Sequence, residues 1–233
     1  MSTNATPDIT DDEGPVPLGR TGPLLVVSDV DSTFIRDEVI ELLARHAGVE
    51  EQVAAVTAAA MRGELDFAAS LRARVATLAG LPSDVVYDVR REVRLTDGAW
   101  DLSRGLAAAG HTFALVSGGF DEVVRPLAQR MDIAHVTANR LEVADGRLTG
   151  RVNGRIVDRS VKAGTLVDLA ARLGIPLERT VAIGDGANDL EMLATAAVGI
   201  AFCAKPVVRE AADIVIDTPD LRFVLDALGV QRP

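Results

Sequence analysis

Cysteine is all but missing from this chain. Cys203 is the only one in 233 residues, so no internal disulfide framework can form, and the composition suits a reducing, cytoplasmic compartment. Aromatic residues are scarce at 3%, so the core must be built from aliphatic side chains; with 48% apolar residues and much alanine it can still be sizeable. Basic charge is thin: the formal net charge is −10 and no basic stripe is visible, which argues against nucleic acid and against an anionic membrane surface as partners. Lysine is the scarcest basic residue, occurring only at Lys162 and Lys205. A chain that favours arginine this strongly yet keeps a lysine points to a need for a compact ammonium. No apolar run reaches membrane-spanning length; the longest, Met192 to Ala204, reads as a buried turn, helix and strand. Residues 1–22 are polar and acidic, with no basic stretch followed by an apolar one, and read as a flexible leader rather than a signal peptide. The length suits one large domain, or one domain carrying an insertion.

What stands out against this background is Asp29-Val30-Asp31-Ser32-Thr33, directly after the apolar run Leu24-Leu25-Val26-Val27-Ser28. The run reads as a buried strand. Two acids two residues apart at its C-terminal end lie where open α/β sheets bind ligands. Clustered carboxylates repel unless a cation separates them. The pattern suggests a magnesium site with a carboxylate nucleophile.

About sixty residues of helical periodicity follow. Ile35, Val39, Leu42 and Leu43 mark a first helix stopped by Gly48; Val53, Val56 and Ala60 a second, ending near Gly63. Asp66 is placed to N-cap a third, with Phe67, Leu71, Val75 and Leu78 on one face. A fourth follows Pro82-Ser83, with Val85, Val89 and Val93 inside. After Thr96-Asp97 the pattern alternates: a helix over 98–109, a strand over 112–116 entering Ser117-Gly118-Gly119, a helix over 121–130, a hairpin over 141–151 around Asp145-Gly146, a helix over 161–173, and strands over 180–183, 197–201 and 213–216. Alternation of this kind implies a parallel sheet with right-handed crossovers. The expected organisation is a Rossmann-like α/β core over 23–32 and 96–233, with an inserted helical cap over 33–95 on the ligand edge.

Four stations fall at strand or helix ends. They are Asp29 with Asp31, then Ser117-Gly118-Gly119, then Lys162, then Asp185 with Asn188 and Asp189. Consecutive backbone N–H groups and a hydroxyl form an anion nest at a helix start. Magnesium takes one or two carboxylates plus water and phosphate oxygens. Together the stations hold a nucleophile, a cation site, a charge clamp and an acid, the parts required for phosphoryl transfer to a carboxylate.

These four motifs, in this order, resemble the haloacid dehalogenase superfamily. The resemblance narrows to its phosphoserine phosphatases through Asp37-Glu38, Gly63-Glu64-Leu65-Asp66-Phe67, Ser70-Leu71-Arg72-Ala73-Arg74, Ala138-Asn139-Arg140-Leu141 and Ala201-Phe202-Cys203-Ala204-Lys205-Pro206, and runs from about Leu24 to the C-terminus. It implies a magnesium-dependent hydrolysis of O-phospho-L-serine, the last step of serine biosynthesis. Asp29 would be the nucleophile and a metal ligand. Asp31 would be acid and then base, with its backbone carbonyl on the metal. Asp185 would complete the metal site, with Asp189 in support. Ser117, Gly118, Lys162 and Asn188 would hold the phosphoryl group, Glu38 the substrate ammonium and Arg74 its carboxylate, while Met61 and Phe67 close the cap. The resemblance fits a monomer or homodimer, and the leader is shorter than the amino-acid-sensing domain of some family members. Two other outcomes of the same residues are phosphoryl transfer from Asp29 to another alcohol such as homoserine, and a receiver-like phospho-acceptor that does not turn over.

Helical phase supports Arg74 independently. At 100° per residue, with Phe67 at 0°, Leu71, Leu78 and Val75 fall between about 20° and 80°, Arg74 near −20° and Arg72 near 140°. A cation inside an apolar stripe needs a partner, and a substrate carboxylate would supply one.

Overall fold

The computed structural model describes residues 22–61 and 64–233. The leader, apart from Gly22, and the side chain of Met61 lie outside the described residues. Strand β1 (Leu25–Ser28) is followed by helices α1 (Val39–Ala47), α2 (Glu50–Met61), α3 (Phe67–Ala76), α4 (Val85–Glu92) and α5 (Ala99–Ala108). Then come β2 (Thr112–Phe120), α6 (Asp121–Arg130), β3 (His135–Ala144), β4 (Arg147–Asn153) and α7 (Arg159–Leu173). The chain closes with β5 (Thr180–Gly184), α8 (Leu190–Thr195), β6 (Val198–Phe202), α9 (Pro206–Ala211), β7 (Ile214–Ile216) and α10 (Arg222–Leu228). The strands form one sheet in the order β4-β3-β2-β1-β5-β6-β7. All pairs are parallel except the β3–β4 hairpin.

β1 is central because both of its faces are apolar. Leu24 and Val26 join the core cluster shared with α1, α5 and α6, while Leu25 and Val27 point into a second cluster with Leu166, Leu169 and Met192. Burial on both faces explains why a parallel strand reads as a continuous apolar run. From β1 the chain winds outward through β2 and β3, then returns to the other side of β1 as β5. This reversal is the switch point at which doubly wound sheets bind ligands, beyond the carboxyl ends of their strands.

The helical insertion joins the sheet by two adjacent segments. Thr96 N–H donates to the Phe34 carbonyl at 3.1 Å and Arg36 N–H to the Arg94 carbonyl at 2.9 Å. Asp37 receives the Arg94 backbone N–H at 2.8 Å and its guanidinium at 2.6 Å. A second fastening lies at the far end. The turn after α3 meets the hairpin: Gly80 N–H donates to Leu148 O and Leu148 N–H to Leu81 O, both at 2.8 Å, and Ser83 N–H to Gly146 O at 2.9 Å.

Several elements differ from the periodicity. Ile35 is not helical; it bridges to Leu95, and α1 begins only at Val39. Val93 is the C-cap of α4 rather than an interior residue. β3 begins at His135, because its first half pairs in parallel with β2 before the hairpin starts. Cys203 is exposed at φ 45° just past β6.

The hairpin fastening gives a testable consequence. Gly150 has φ +80°, and a Cβ there would lie 2.9 Å from the Ala79 Cβ and 3.2 Å from the Ala76 carbonyl oxygen. Gly150→Ala should destabilise the fold by about 1–3 kcal/mol in urea denaturation. An unchanged midpoint would show that the insertion is not held tightly here.

Candidate active site

The site grows from three strand ends and one helix. At the end of β1, Asp29 continues the ladder, its N–H donating to Ile183 O at 2.9 Å. The chain then turns through Ser32 at φ 58°. That turn carries Asp31 back against the insertion, where its Oδ2 accepts the Val39 N–H at 3.1 Å in the first turn of α1. Its Oδ1 is buried without a hydrogen-bond partner. At the end of β2, Ser117 is fully buried and its Oγ accepts the Gly119 N–H at 2.8 Å. At the end of β5 the turn is fixed by Asp189, whose Oδ2 accepts the Gly186 N–H at 3.1 Å.

Lys162 ties these loops together. Asp158 N-caps α7 by accepting the Val161 N–H at 2.9 Å, which sets the first turn so that Lys162 points inward. Its Nζ is fully buried and donates to Asp29 Oδ1 and Asp189 Oδ1, each at 2.7 Å. Burial disfavours the ammonium, yet the two carboxylates outweigh it and hold its pKa above the ordinary lysine value.

The carboxylates are strained the other way. Burial, then repulsion from Asp189, pushes Asp29 well above the usual carboxylate range despite Lys162. Burial and then Asp189 and Glu38 push Asp185 up to about 6. Burial and the Glu38 charge push Asp31 up to about 8. Carboxylate oxygens of Asp29, Asp185 and Asp189 all lie within 4.8 Å of one another. An all-oxygen cluster in which Asp29 and Asp185 resist ionisation suits a hard divalent cation. The Asp31 carboxylate is outside this cluster; its sequence-based metal role runs through the backbone carbonyl.

A small cavity of about 130 Å³ opens above these groups. Its floor holds Asp29, Asp31, Gly118, Asp185 and Asn188, and its opposite wall, from the insertion, holds Glu38, Phe67 and Arg74. Phe67 packs on Gly118 so closely that a Cβ there would come within 2.8 Å of its ring. Ser32 Oγ donates to Glu38 at 2.7 Å. Arg74 is largely buried, which lowers its pKa, while Glu38 and Asp31 oppose that shift. Arg72, on the same helix, is exposed, as the helical phase requires. Every site residue named from the sequence thus lies at this cavity or directly beneath it, except Met61, whose side chain is outside the described residues.

The residue the sequence reading passed over is Lys205. It lines the cavity, and its N–H donates to Asp185 O at 3.0 Å. Its rarity was a usable signal, since Lys162, the only other lysine, is also in the site.

A family model described as haloacid dehalogenase-like hydrolase matches residues 26–194. The chain belongs to that family. As a member of the haloacid dehalogenase-like hydrolases it is 59% identical over 215 residues to a phosphoserine phosphatase of Streptomyces coelicolor, a match covering 92% of this chain and 52% of that protein. The chain thus spans about half the length of that relative. It is 51% identical to a phosphoserine phosphatase of Streptococcus thermophilus, covering 88% of this chain and 95% of that one. A solved structure described as a phospho-aspartyl intermediate analogue of phosphoserine phosphatase superposes with TM-score 0.83 at 44% identity, covering 88% of this chain and 98% of that one.

The raised carboxyl pKa values fix a pH dependence. A carboxyl whose folded pKa lies above its unfolded value contributes stability that is present at low pH and lost as pH rises through the folded pKa. For Asp185 and Asp31 the loss runs from about pH 4 through about 6 and about 8. A divalent cation held by the ionised cluster of Asp29, Asp185 and Asp189 would offset the part of this loss due to Asp185. The rise in thermal midpoint on saturating the metal-free protein with a divalent cation should therefore be larger at pH 8 than at pH 5. An equal rise at both would argue against cation binding at these carboxylates.

Proposed function

We propose that this protein is a magnesium-dependent phosphatase that hydrolyses O-phospho-L-serine to L-serine and phosphate. The observation that carries the reading is the two-sided cavity: carboxylates on the floor with a buried lysine beneath them, and side chains of opposite charge, Glu38 and Arg74, on the facing wall. A zwitterionic amino-acid phosphate matches both sides. On this reading residues 33–95 act as a cap over a core formed by 23–32 and 96–233. The similarity to phosphoserine phosphatases over most of the chain supports the same substrate.

Asp29, Asp185 and the Asp31 backbone carbonyl would hold magnesium, which when bound neutralises the carboxylate cluster and the phosphoryl oxygens. Ser117, Gly118, Asn188 and Lys162 orient the phosphoryl group. An oxygen of Asp29 attacks phosphorus as the bond to the serine oxygen breaks, giving an aspartyl phosphate. Asp31, protonated at neutral pH because burial and Glu38 raise its pKa to about 8, donates that proton to the leaving oxygen. Now ionised, Asp31 takes a proton from water. The hydroxide attacks phosphorus, the bond to Asp29 breaks, phosphate departs and Asp31 is again protonated.

The reading is tested by phosphate release across a panel of phosphomonoesters with magnesium present; O-phospho-L-serine should be preferred, and indifference across the panel would reject it. In the same assay Asp29→Asn should lower kcat by about 10³-fold or more, because an amide cannot form the acyl phosphate. Activity within about tenfold of wild type would remove Asp29 as the nucleophile.

Substrate choice separates the two arginines of α3. Arg74→Ala leaves a substrate carboxylate unpaired in a closed site, a loss of about 2 kcal/mol or more, and should cut kcat/KM for O-phosphoserine roughly 30-fold. An aryl phosphate without a carboxylate should be affected much less. Arg72→Ala should leave both substrates nearly unchanged. A selective loss with Arg72→Ala instead would sink the assignment.

A further inference from the structure

We infer that Asn139 is a positioning residue that sets the phosphate-facing end of β2, Ser117-Gly118-Gly119, and couples it to the segment carrying Lys162; this rests on the function proposed above. Asn139 lies in β3, is only 1% exposed and does not reach the cavity. A buried primary amide must have its donors and acceptors matched. Its Nδ2 donates to the Gly118 carbonyl at 2.8 Å, and its Oδ1 accepts the Val157 N–H at 2.9 Å. Gly118 is on the cavity floor. Val157 immediately precedes Asp158, which caps α7 and whose carbonyl receives the Lys162 N–H at 2.9 Å. One side chain therefore joins the end of β2 to the segment that leads into α7, the two parts of the chain that meet the same phosphoryl group.

The direction of each bond matters. The peptide between Gly118 and Gly119 is held at both ends, its carbonyl by Asn139 and its N–H by Ser117 Oγ at 2.8 Å. A carbonyl oxygen turned toward an anion would repel it; here the oxygen is bound to Asn139 behind the floor. Ser117 Oγ accepts from Gly119, so its own hydroxyl hydrogen is left to donate to a phosphoryl oxygen. Loss of the Asn139 donor releases this peptide, and donors that stabilise charge developing in a transition state act only when pre-set.

The test compares Asn139→Ala and Asn139→Asp with wild type, all with saturating magnesium. It reads kcat and KM on O-phosphoserine and on p-nitrophenyl phosphate, inhibition by orthovanadate as a mimic of five-coordinate phosphorus, and the thermal midpoint. Both variants should lose about 10- to 100-fold in kcat on both esters, with a matching loss of vanadate affinity and a much smaller change in KM. Asn139→Asp keeps the size and the acceptor for Val157; its protonated acid can still donate to Gly118, while its ionised form replaces the donor with a charged oxygen. If the alanine variant does not fold, the aspartate variant decides the matter through its pH profile: its kcat relative to wild type should fall as pH rises, and a pH-independent ratio near one overturns the inference. A folded variant with kcat and vanadate inhibition within about twofold of wild type overturns the inference, however far its thermal midpoint falls. A wild-type protein that turns over neither ester rejects the proposed function itself, and this inference with it.

Discussion

The ammonium of Lys162 between Asp29 and Asp189 is the constraint on which the active edge depends. Three charged groups share a space from which water is excluded. An unpaired buried charge costs several kcal/mol, and breaking a buried pair by removing one partner typically costs about 3–5 kcal/mol. The pairing is therefore a positional demand on three separate parts of the chain. β1 must end at Asp29, the turn after β5 must bring Asp189 inward, and α7 must start where Asp158 caps it. The sheet order meets that demand by placing β1 beside β5 with α7 packed against them.

Charge balance then sets an order of events. The cluster holds three carboxylates, Asp29, Asp185 and Asp189, and one ammonium pairs with it, leaving two negative charges when all are ionised (three less one). A phosphate monoester dianion approaching this floor is repelled. A divalent cation bound here would cancel the excess and turn the floor into an anion site. Burial first, and then this imbalance through Asp189, raises the pKa values of Asp29 and Asp185 in the metal-free protein.

Most of this was legible in the sequence, for physical reasons that differ by element. β1 and β5 are buried on both faces, so they read as apolar runs broken by acids. Asp66 and Gly48 sit at helix ends because capping chemistry admits few residue types: Asp66 accepts the Ala69 N–H at 2.7 Å, and Gly48 takes φ 67°. Helical phase placed Arg74 on the cavity side of α3, where it lies. The first half of β3 was not, because His135 to Arg140 mixes polar and apolar residues without alternation and is strand only through its partner β2. Ile35 falls in phase with α1, but tertiary pairing with Leu95 takes it out of the helix. Lys205 has no local pattern; only the fold brings it to the Asp185 loop.

On the function proposed above, the facing charges of Glu38 and Arg74 would do more than select a substrate. Glu38 is a principal cause, after burial, of the raised pKa of Asp31, so on that reading recognition and proton transfer share a residue. An ammonium seated against Glu38 would cancel part of that repulsion and make Asp31 a stronger acid, at the moment when a leaving oxygen needs a proton. A phosphate ester lacking the ammonium would leave the repulsion in place and meet a weaker acid. Discrimination at this site would then act on the chemical step as well as on binding, the form of selectivity that raises kcat rather than only lowering KM.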